Sequence, residues 1–307
     1  MIDIATVERI VAVIPLGDTV SEITPLAKGF STDDKFILTV NAEPTYLLRI
    51  SHERETERRR TEFSLLTQLA ARGISCSKPH YFGSAPEFGV CVSLLSYLPG
   101  TCAEEALPAM DAAIQYPIGV KAGETLKRMY AALAVPTDIN WPVYRMGKYR
   151  RFLGIAQEHG LRFLNQEVVE QFVDAHHHLV QGRPVTFLHD DFHPGNLIIV
   201  AGQYSGVIDF NRCDWGDPYH DFYKLAHFSA PEFPAFARGQ VDGYFGGEVP
   251  TDFWPLYTLY VAMSLHVDLA WTQRFWLDRL DASYQRIAQI CQTHDFIKGA
   301  APNWYCQ

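Results

Sequence analysis

The sequence predicts an α+β protein of two lobes: a small antiparallel sheet carrying one helix, then a larger, mainly helical lobe interrupted by a hairpin. Three observations carry this expectation. The 307 residues exceed what one compact core usually holds. Strand-like runs crowd the first hundred residues, whereas helical periodicity dominates most of the rest. Late in the chain, VTFL, HDDFHPGN, NLIIV and VIDF set short strands around a polar loop and a turn. The boundary between the lobes is expected between residues 97 and 98.

From Thr6 to Ile14 the apolar residues recur at helical spacing until Pro15 and Gly17 stop the pattern, which predicts a first helix. Residues 22–50 read as strands separated by GFSTDD and NAEP, both rich in turn residues. A charged helix is expected from about Glu53 to Arg72, with Phe63, Leu65, Leu66 and Leu69 on its apolar side and Glu62 among them. HYFGSAPEFGVCVSLLSYLPG then gives two more strands, closed by Pro99-Gly100. Residues 103–180 carry helical patterns with breaks near Pro136 and Gly160, and the chain reads helical again beyond Asp221. There is neither an internal repeat nor a low-complexity segment.

Composition bounds the function. Hydrophobic residues make up 48% of the chain and charged ones 20%, enough to build a sizeable core. A net charge of -9 opposes general nucleic-acid binding, which needs a basic footprint, and makes cationic small molecules natural partners. Six cysteines without metal-ligand spacing read as the reduced thiols of a cytoplasmic protein. The apolar stretch near the start is too short for a membrane span and follows acids rather than a basic segment, so neither export signal nor anchor is expected. A monomer or weak dimer is the expected state.

The chemistry concentrates in HDDFHPGN, which fits H-x-D-x-x-x-x-N with His189, Asp191 and Asn196. An aspartate opening such a loop can orient a substrate hydroxyl, and an asparagine five residues on can offer its amide oxygen to magnesium. Thirteen residues later Asp209 ends VID, where a hairpin returns it to the same edge as a second magnesium-binding carboxylate. Two other readings stay open. A metal hydrolase would use His189, Asp190, Asp191 and His193 as ligands, and a binding protein would keep the fold without turnover. The run His176-His177-His178 is read as a polar helix face, because consecutive residues point in different directions.

Taken together, these segments resemble the aminoglycoside phosphotransferase and choline kinase family, the small-molecule branch of the protein-kinase-like fold, from about Glu22 to the C-terminal helices. The family loop is usually HGDxHPGN, so Asp190 stands where glycine is typical, and WGDPYHDF matches the segment that follows. The resemblance implies a nucleotide-binding lobe over residues 1–97 and a catalytic, substrate-binding lobe over 98–307. It implies Asp191 as catalytic aspartate, Asn196 and Asp209 as Mg2+ ligands, Asp221 as a brace and His189 as loop support. Arg49 of YLLRI would replace the phosphate-binding lysine, with Glu62 as its partner. Ser31 and Thr32 of GFSTDDKF would meet phosphates, although the turn lacks the usual glycines. Ser96 and Leu98 of SLLSYLPG would meet the purine.

The reaction so implied transfers the γ-phosphoryl group of ATP or GTP to a small-molecule hydroxyl. An aminoglycoside-type antibiotic is the expected acceptor, with choline, homoserine, methylthioribose and macrolide kinases as alternatives. The acidic stretch 211–253 contributes Asp214 and Asp217 as candidates for binding a cationic acceptor. Among the aromatics Trp271 joins them.

Overall fold

In a computed structural model that describes residues 2–17, 19–26 and 33–306, the alternating runs of the first hundred residues form one antiparallel sheet. Its strands are β1 (Val20–Pro25), β2 (Asp34–Val40), β3 (Glu43–His52), β4 (Pro79–Ala85) and β5 (Val90–Ser96), in the order β1-β2-β3-β5-β4. Register sets Phe36 opposite Leu48 and Leu48 opposite Leu94. Alternation therefore delivers Phe36, Leu38, Leu48, Ile50, Val92 and Leu94 to one apolar cluster. Helix α1 (Ile4–Val13), capped by the Asp3 side chain on the Thr6 amide, adds Val7 and Ile10 to that cluster. One residue out of phase, Arg49 points to the other face, where it meets helix α2 (Thr56–Ala71).

After β5 the chain runs through β6 (Thr101–Cys102), α3 (Ala103–Ala106), α4 (Ala112–Tyr130), α5 (Trp141–Glu158), α6 (Gln166–His176) and β7 (Thr186–Leu188). The hairpin β8 (Leu197–Val200) and β9 (Gln203–Val207) precedes β10 (Asp214–Gly216), which pairs with β7. The last helices are α7 (Pro234–Phe245), α8 (Phe253–Phe275), α9 (Leu280–Thr293) and α10 (Asn303–Cys306). A π-helical turn, Leu225–Ser229, lies before α7.

Contacts divide the chain into two units. The first joins Met1–Thr101 to Ile198–Ala201 and Ser205–Asn211, and the second holds the remainder. Within the first, the Val207 amide donates to the Ser75 carbonyl at 2.9 Å. A Cβ on Gly206 would lie 2.7 Å from that same carbonyl oxygen, so only glycine permits this approach.

In the second unit, α8 is buried on nearly all sides, as a helix apolar around its whole circumference must be. Trp141 donates to the Tyr260 hydroxyl, which donates to Asp217 at 2.7 Å, tying α5 and α8 to the segment after β10. The histidine run ends α6: the Nδ1 atoms of His176, His177 and His178 lie 2.8 to 3.0 Å from carbonyls three or four residues earlier. Such bonds satisfy the last helix acceptors, so the run finishes a helix. Among the described residues no helix is long and apolar enough to cross a membrane.

Helices α4 and α7 approach through glycines spaced four apart on each, Gly119 and Gly123 against Gly239 and Gly243. A Cβ on Gly119 would overlap the Phe236 carbonyl, and one on Gly239 the Tyr116 carbonyl. Helix propensity alone favours alanine over glycine by about 1 kcal/mol. At Gly123 or Gly239 the overlap outweighs this, and alanine is expected to destabilise by about 1–3 kcal/mol. In α5, Gly147 has no neighbour within 4 Å, so Gly147→Ala should be neutral or stabilise by up to about 1 kcal/mol. Denaturant unfolding of the three variants checks the contrast.

Candidate active site

Asp221 organises the polar loop between β7 and β8. It is 1% exposed, and its carboxylate accepts from the His189 amide at 3.0 Å, the Asp190 amide at 3.1 Å and the Tyr130 hydroxyl at 2.7 Å. Burial and the charge of Asp190 push its carboxyl up to about 7, against these donors. Asp190 itself has φ of +55°. That left-handed conformation explains why glycine suits the position, and aspartate is among the side chains that tolerate it.

The Asp190 side chain lies 3.7 Å from Lys148 Nζ and 3.4 Å from His220 Nδ1. Asp190, His220 and Asp221 bring potential ligand atoms within 4.8 Å of one another. Asp221 is already bonded to three donors, however, and burial keeps His220 neutral while raising the Asp190 carboxyl. His189, Asp190, Asp191 and His193 do not converge as a hydrolase ligand set. His189 Nδ1 accepts from the Asp191 amide, and His193 Nδ1 from the Gly195 amide.

Asp191 is held from several sides. Lys224 Nζ donates to Oδ1 at 2.7 Å, His193 Nε2 stands 3.8 Å from Oδ1, and Arg212 Nε stands 3.9 Å from Oδ2. Burial opposes ionisation of Asp191, but Lys224, His193 and Arg212 outweigh it and hold the carboxyl below the usual carboxylate range. Burial likewise opposes the charge of Lys224, and Tyr223, Asp191 and Asp190 outweigh it. Lys224 is the functional neighbour that sequence reading missed. Its only signal was a basic residue three positions after Asp221 in an apolar helical stretch.

Asn196 turns its amide nitrogen toward Asp191, donating to the carbonyl at 2.9 Å and to Oδ2 at 3.3 Å. Its Oδ1 has no hydrogen-bond partner among the described residues. The half-buried Asp209 carboxylate, at a left-handed φ of +64° after β9, likewise has none. Both are hard oxygen donors of the kind magnesium prefers.

In the first unit Arg49 and Glu62 meet as expected, Nη1 to Oε1 at 2.9 Å. They belong to a larger buried network: Arg59 donates to Glu62 at 2.9 Å and to Asp33 at 2.6 Å. Burial opposes the Arg59 charge, but Glu62 and Asp33 outweigh it. The spacing of Arg59 three residues before Glu62 was visible in ERRRTE, whereas Asp33 came from a distant turn. Ser31 and Thr32 lie outside the described residues. At the proposed hinge, the Ser96 amide donates to the Lys78 carbonyl at 2.7 Å, and its hydroxyl accepts from the Lys78 amide. The Leu98 backbone makes no hydrogen bond among the described residues, leaving it the better placed of the two for a ligand.

The acidic stretch is largely paired internally. Asp214 accepts from the Tyr144 hydroxyl at 2.7 Å. Asp217 is fully buried, accepting from Arg183, Tyr260 and the Tyr219 amide, so it is placed to hold the core rather than a ligand. Asp242 accepts from Tyr116 and Tyr305, and Asp252 from Arg183. Trp271 is half-buried and carries Arg212 over its ring, with Cζ 5.5 Å from the centroid.

Residues 22–254 match the sequence profile of the phosphotransferase enzyme family. A homoserine kinase of Methylobacillus flagellatus is 25% identical over 198 residues, 62% of this chain and 57% of that protein. The matched part thus spans little more than half of that relative. Among solved structures, the GDP complex of wild-type aminoglycoside 2′-phosphotransferase-IIIa superposes with a TM-score of 0.72 at 13% identity, covering 95% of this chain and 99% of that one. The gentamicin complex of APH(2″)-IIa does so with 0.66 at 16% identity, covering 96% and 97%.

Removing Glu62 would leave two buried guanidinium groups against one carboxylate, so Glu62→Ala is expected to cost about 3–5 kcal/mol in urea unfolding. Glu124→Ala, which breaks an exposed pair with Lys121, should cost at most about 1 kcal/mol. Lys224→Met removes the strongest influence holding Asp191 down, so a carboxyl NMR titration should find Asp191 protonating at higher pH. A depressed carboxyl contributes stability that is full above about pH 4 and fades as pH falls. The stability gap between wild type and Lys224→Met should therefore narrow in urea titrations below about pH 4.

Proposed function

The chain belongs to the phosphotransferase enzyme family, and from that premise we propose that it transfers the γ-phosphoryl group of ATP or GTP to a hydroxyl of its small-molecule acceptor. Its fold is the protein-kinase-like one of the aminoglycoside phosphotransferases. The observation that carries the reading is the held, ionised Asp191 on the loop that Asp221 pins.

With Oδ1 held by Lys224 at 2.7 Å and Oδ2 reached by Asn196 only at 3.3 Å, Oδ2 is the oxygen proposed to orient the acceptor hydroxyl. A carboxylate held below its usual range is a weak base. It aligns the hydroxyl first and receives the proton only as the new P–O bond forms, which suits a loose transition state. Magnesium, when bound, would neutralise charge on the phosphates, and Asn196 Oδ1 and the Asp209 carboxylate are each proposed as its ligands. Arg49, oriented by Glu62, is the proposed phosphate anchor. An arginine there presents a fixed fork where a lysine would be a mobile point charge.

Two acceptor classes are supported. The fold shared with aminoglycoside phosphotransferases supports an aminoglycoside-type antibiotic, and the homoserine kinase relative supports a small hydroxy amino acid.

A coupled nucleotide-release screen over aminoglycosides, macrolides, choline, homoserine and methylthioribose tests the proposal. Turnover is expected with at least one acceptor, lost on chelation of divalent ions and restored by magnesium. Asp191→Asn should lower kcat by about 10²–10⁴ while nucleotide binding persists. Acceptor-stimulated turnover that survives this substitution would overturn the assignment of Asp191.

A further inference from the structure

The charges around Asp191 point to the acceptor. In the second unit the aspartate has three cationic or ionisable basic neighbours, Lys224, His193 and Arg212. Lys224, only 5% exposed, balances the aspartate's charge by itself. A site whose aspartate stood alone would draw a cationic acceptor; here that attraction is already cancelled.

The nearby acids offer no replacement. Asp190 faces Lys148 and His220, Asp214 accepts from Tyr144, and Asp268 is held by both forks of Arg286 at 2.7 and 3.0 Å. Each of these three carboxylates already lies within ion-pair or hydrogen-bond reach of a neighbour. Arg212 is the opposite case. Its side chain is 43% exposed, its terminal nitrogens have no hydrogen-bond partner among the described residues, and its Cζ lies 5.5 Å from the centroid of the Trp271 ring. A guanidinium with free terminal nitrogens offers a planar fork suited to two parallel hydrogen bonds to a carboxylate or phosphate.

Resting on the phosphotransfer reading above, we infer that the acceptor is a hydroxyl compound bearing an anionic group, carboxylate or phosphate, which the Arg212 fork binds while Lys224 balances Asp191. Arg212 is then a specificity residue that touches substrate. A cationic group placed beside Arg212 would be repelled by its guanidinium.

The test is a turnover screen with the full chain, magnesium and ATP or GTP. Acceptors are matched in charge: hydroxy amino acids and their carboxamides, hydroxy acids, sugar phosphates and their parent sugars, choline and aminoglycosides. The best acceptor, by kcat/KM, should carry an anion, and its neutral counterpart should be about 10- to 100-fold poorer, as expected for losing charge-assisted hydrogen bonds. The carboxylate and phosphate arms separate the two sources of the anion.

For the best acceptor, Arg212→Gln should raise the acceptor KM by a similar factor with the nucleotide KM nearly unchanged, and Arg212→Lys should recover part of the loss. Unchanged thermal melting would show that the variants fold. A cationic or neutral best acceptor overturns the inference, as does an Arg212→Gln defect confined to nucleotide KM. Nucleotide binding with no anionic compound turned over also counts against it and leaves the phosphotransfer reading standing. Absence of nucleotide binding, by contrast, defeats that reading itself.

Discussion

Everything chemical in the second unit hangs on the carboxylate of Asp221. Two consecutive amides, those of His189 and Asp190, donate to it, together with the Tyr130 hydroxyl from α4. Consecutive amides aim at one acceptor only if the backbone turns sharply, and the left-handed φ of Asp190 supplies that turn. Asp191, the next residue, is thereby delivered to Lys224, which lies two residues beyond the short 3₁₀ turn His220–Phe222 that carries Asp221. One buried acid thus sets both the acidic group and its basic partner, because both depend on the same few residues of backbone.

The two units solve the problem of buried charge differently. Around Arg49 the charges alternate, two guanidinium groups against Glu62 and Asp33, and each side chain is almost dry. Such a network is costly to desolvate and costly to break, so its value lies in fixing geometry more than in adding stability. Around Asp191 the arrangement is more open: Lys224 is buried against the carboxylate, whereas Arg212 is half exposed and its terminal nitrogens face no hydrogen-bond acceptor among the described residues. An exposed cation of this kind can be stabilised by a ligand of opposite sign.

How much of this was legible follows from how local each signal is. The five strands, α2 and the β8–β9 hairpin announced themselves through alternation and turn residues, which act over a few positions. Asp191, Asn196 and Asp209 stood out in the sequence because loop chemistry demands fixed spacing. Glu62 was expected among the apolar residues of α2 as the partner of Arg49, and the structure buries it against that guanidinium. Lys224, Arg59 and Asp33 were not assigned, since their meaning depends on tertiary partners far along the chain. The acidity of residues 211–253 is a weak signal for the same reason: net charge in a sequence does not reveal that Asp217 faces Arg183 or that Asp242 faces two tyrosines. Asp190 was visible as a departure from glycine, but only the backbone angle shows why it is tolerated.

The composition of the first unit bears on how the protein is made. Residues Met1–Thr101 fold with Ile198–Ala201 and Ser205–Asn211, and the bond from Val207 to Ser75 closes that arrangement. A ribosome has released the five-stranded sheet long before it reaches Val207, so the nascent sheet must wait, with the Ser75 carbonyl unsatisfied, for nearly a hundred residues of helical chain to emerge. The interval is a window in which a holdase could act, and it sets a minimum length for any truncated version: a fragment ending at Thr101 keeps every strand of the sheet yet lacks the segment that finishes the unit.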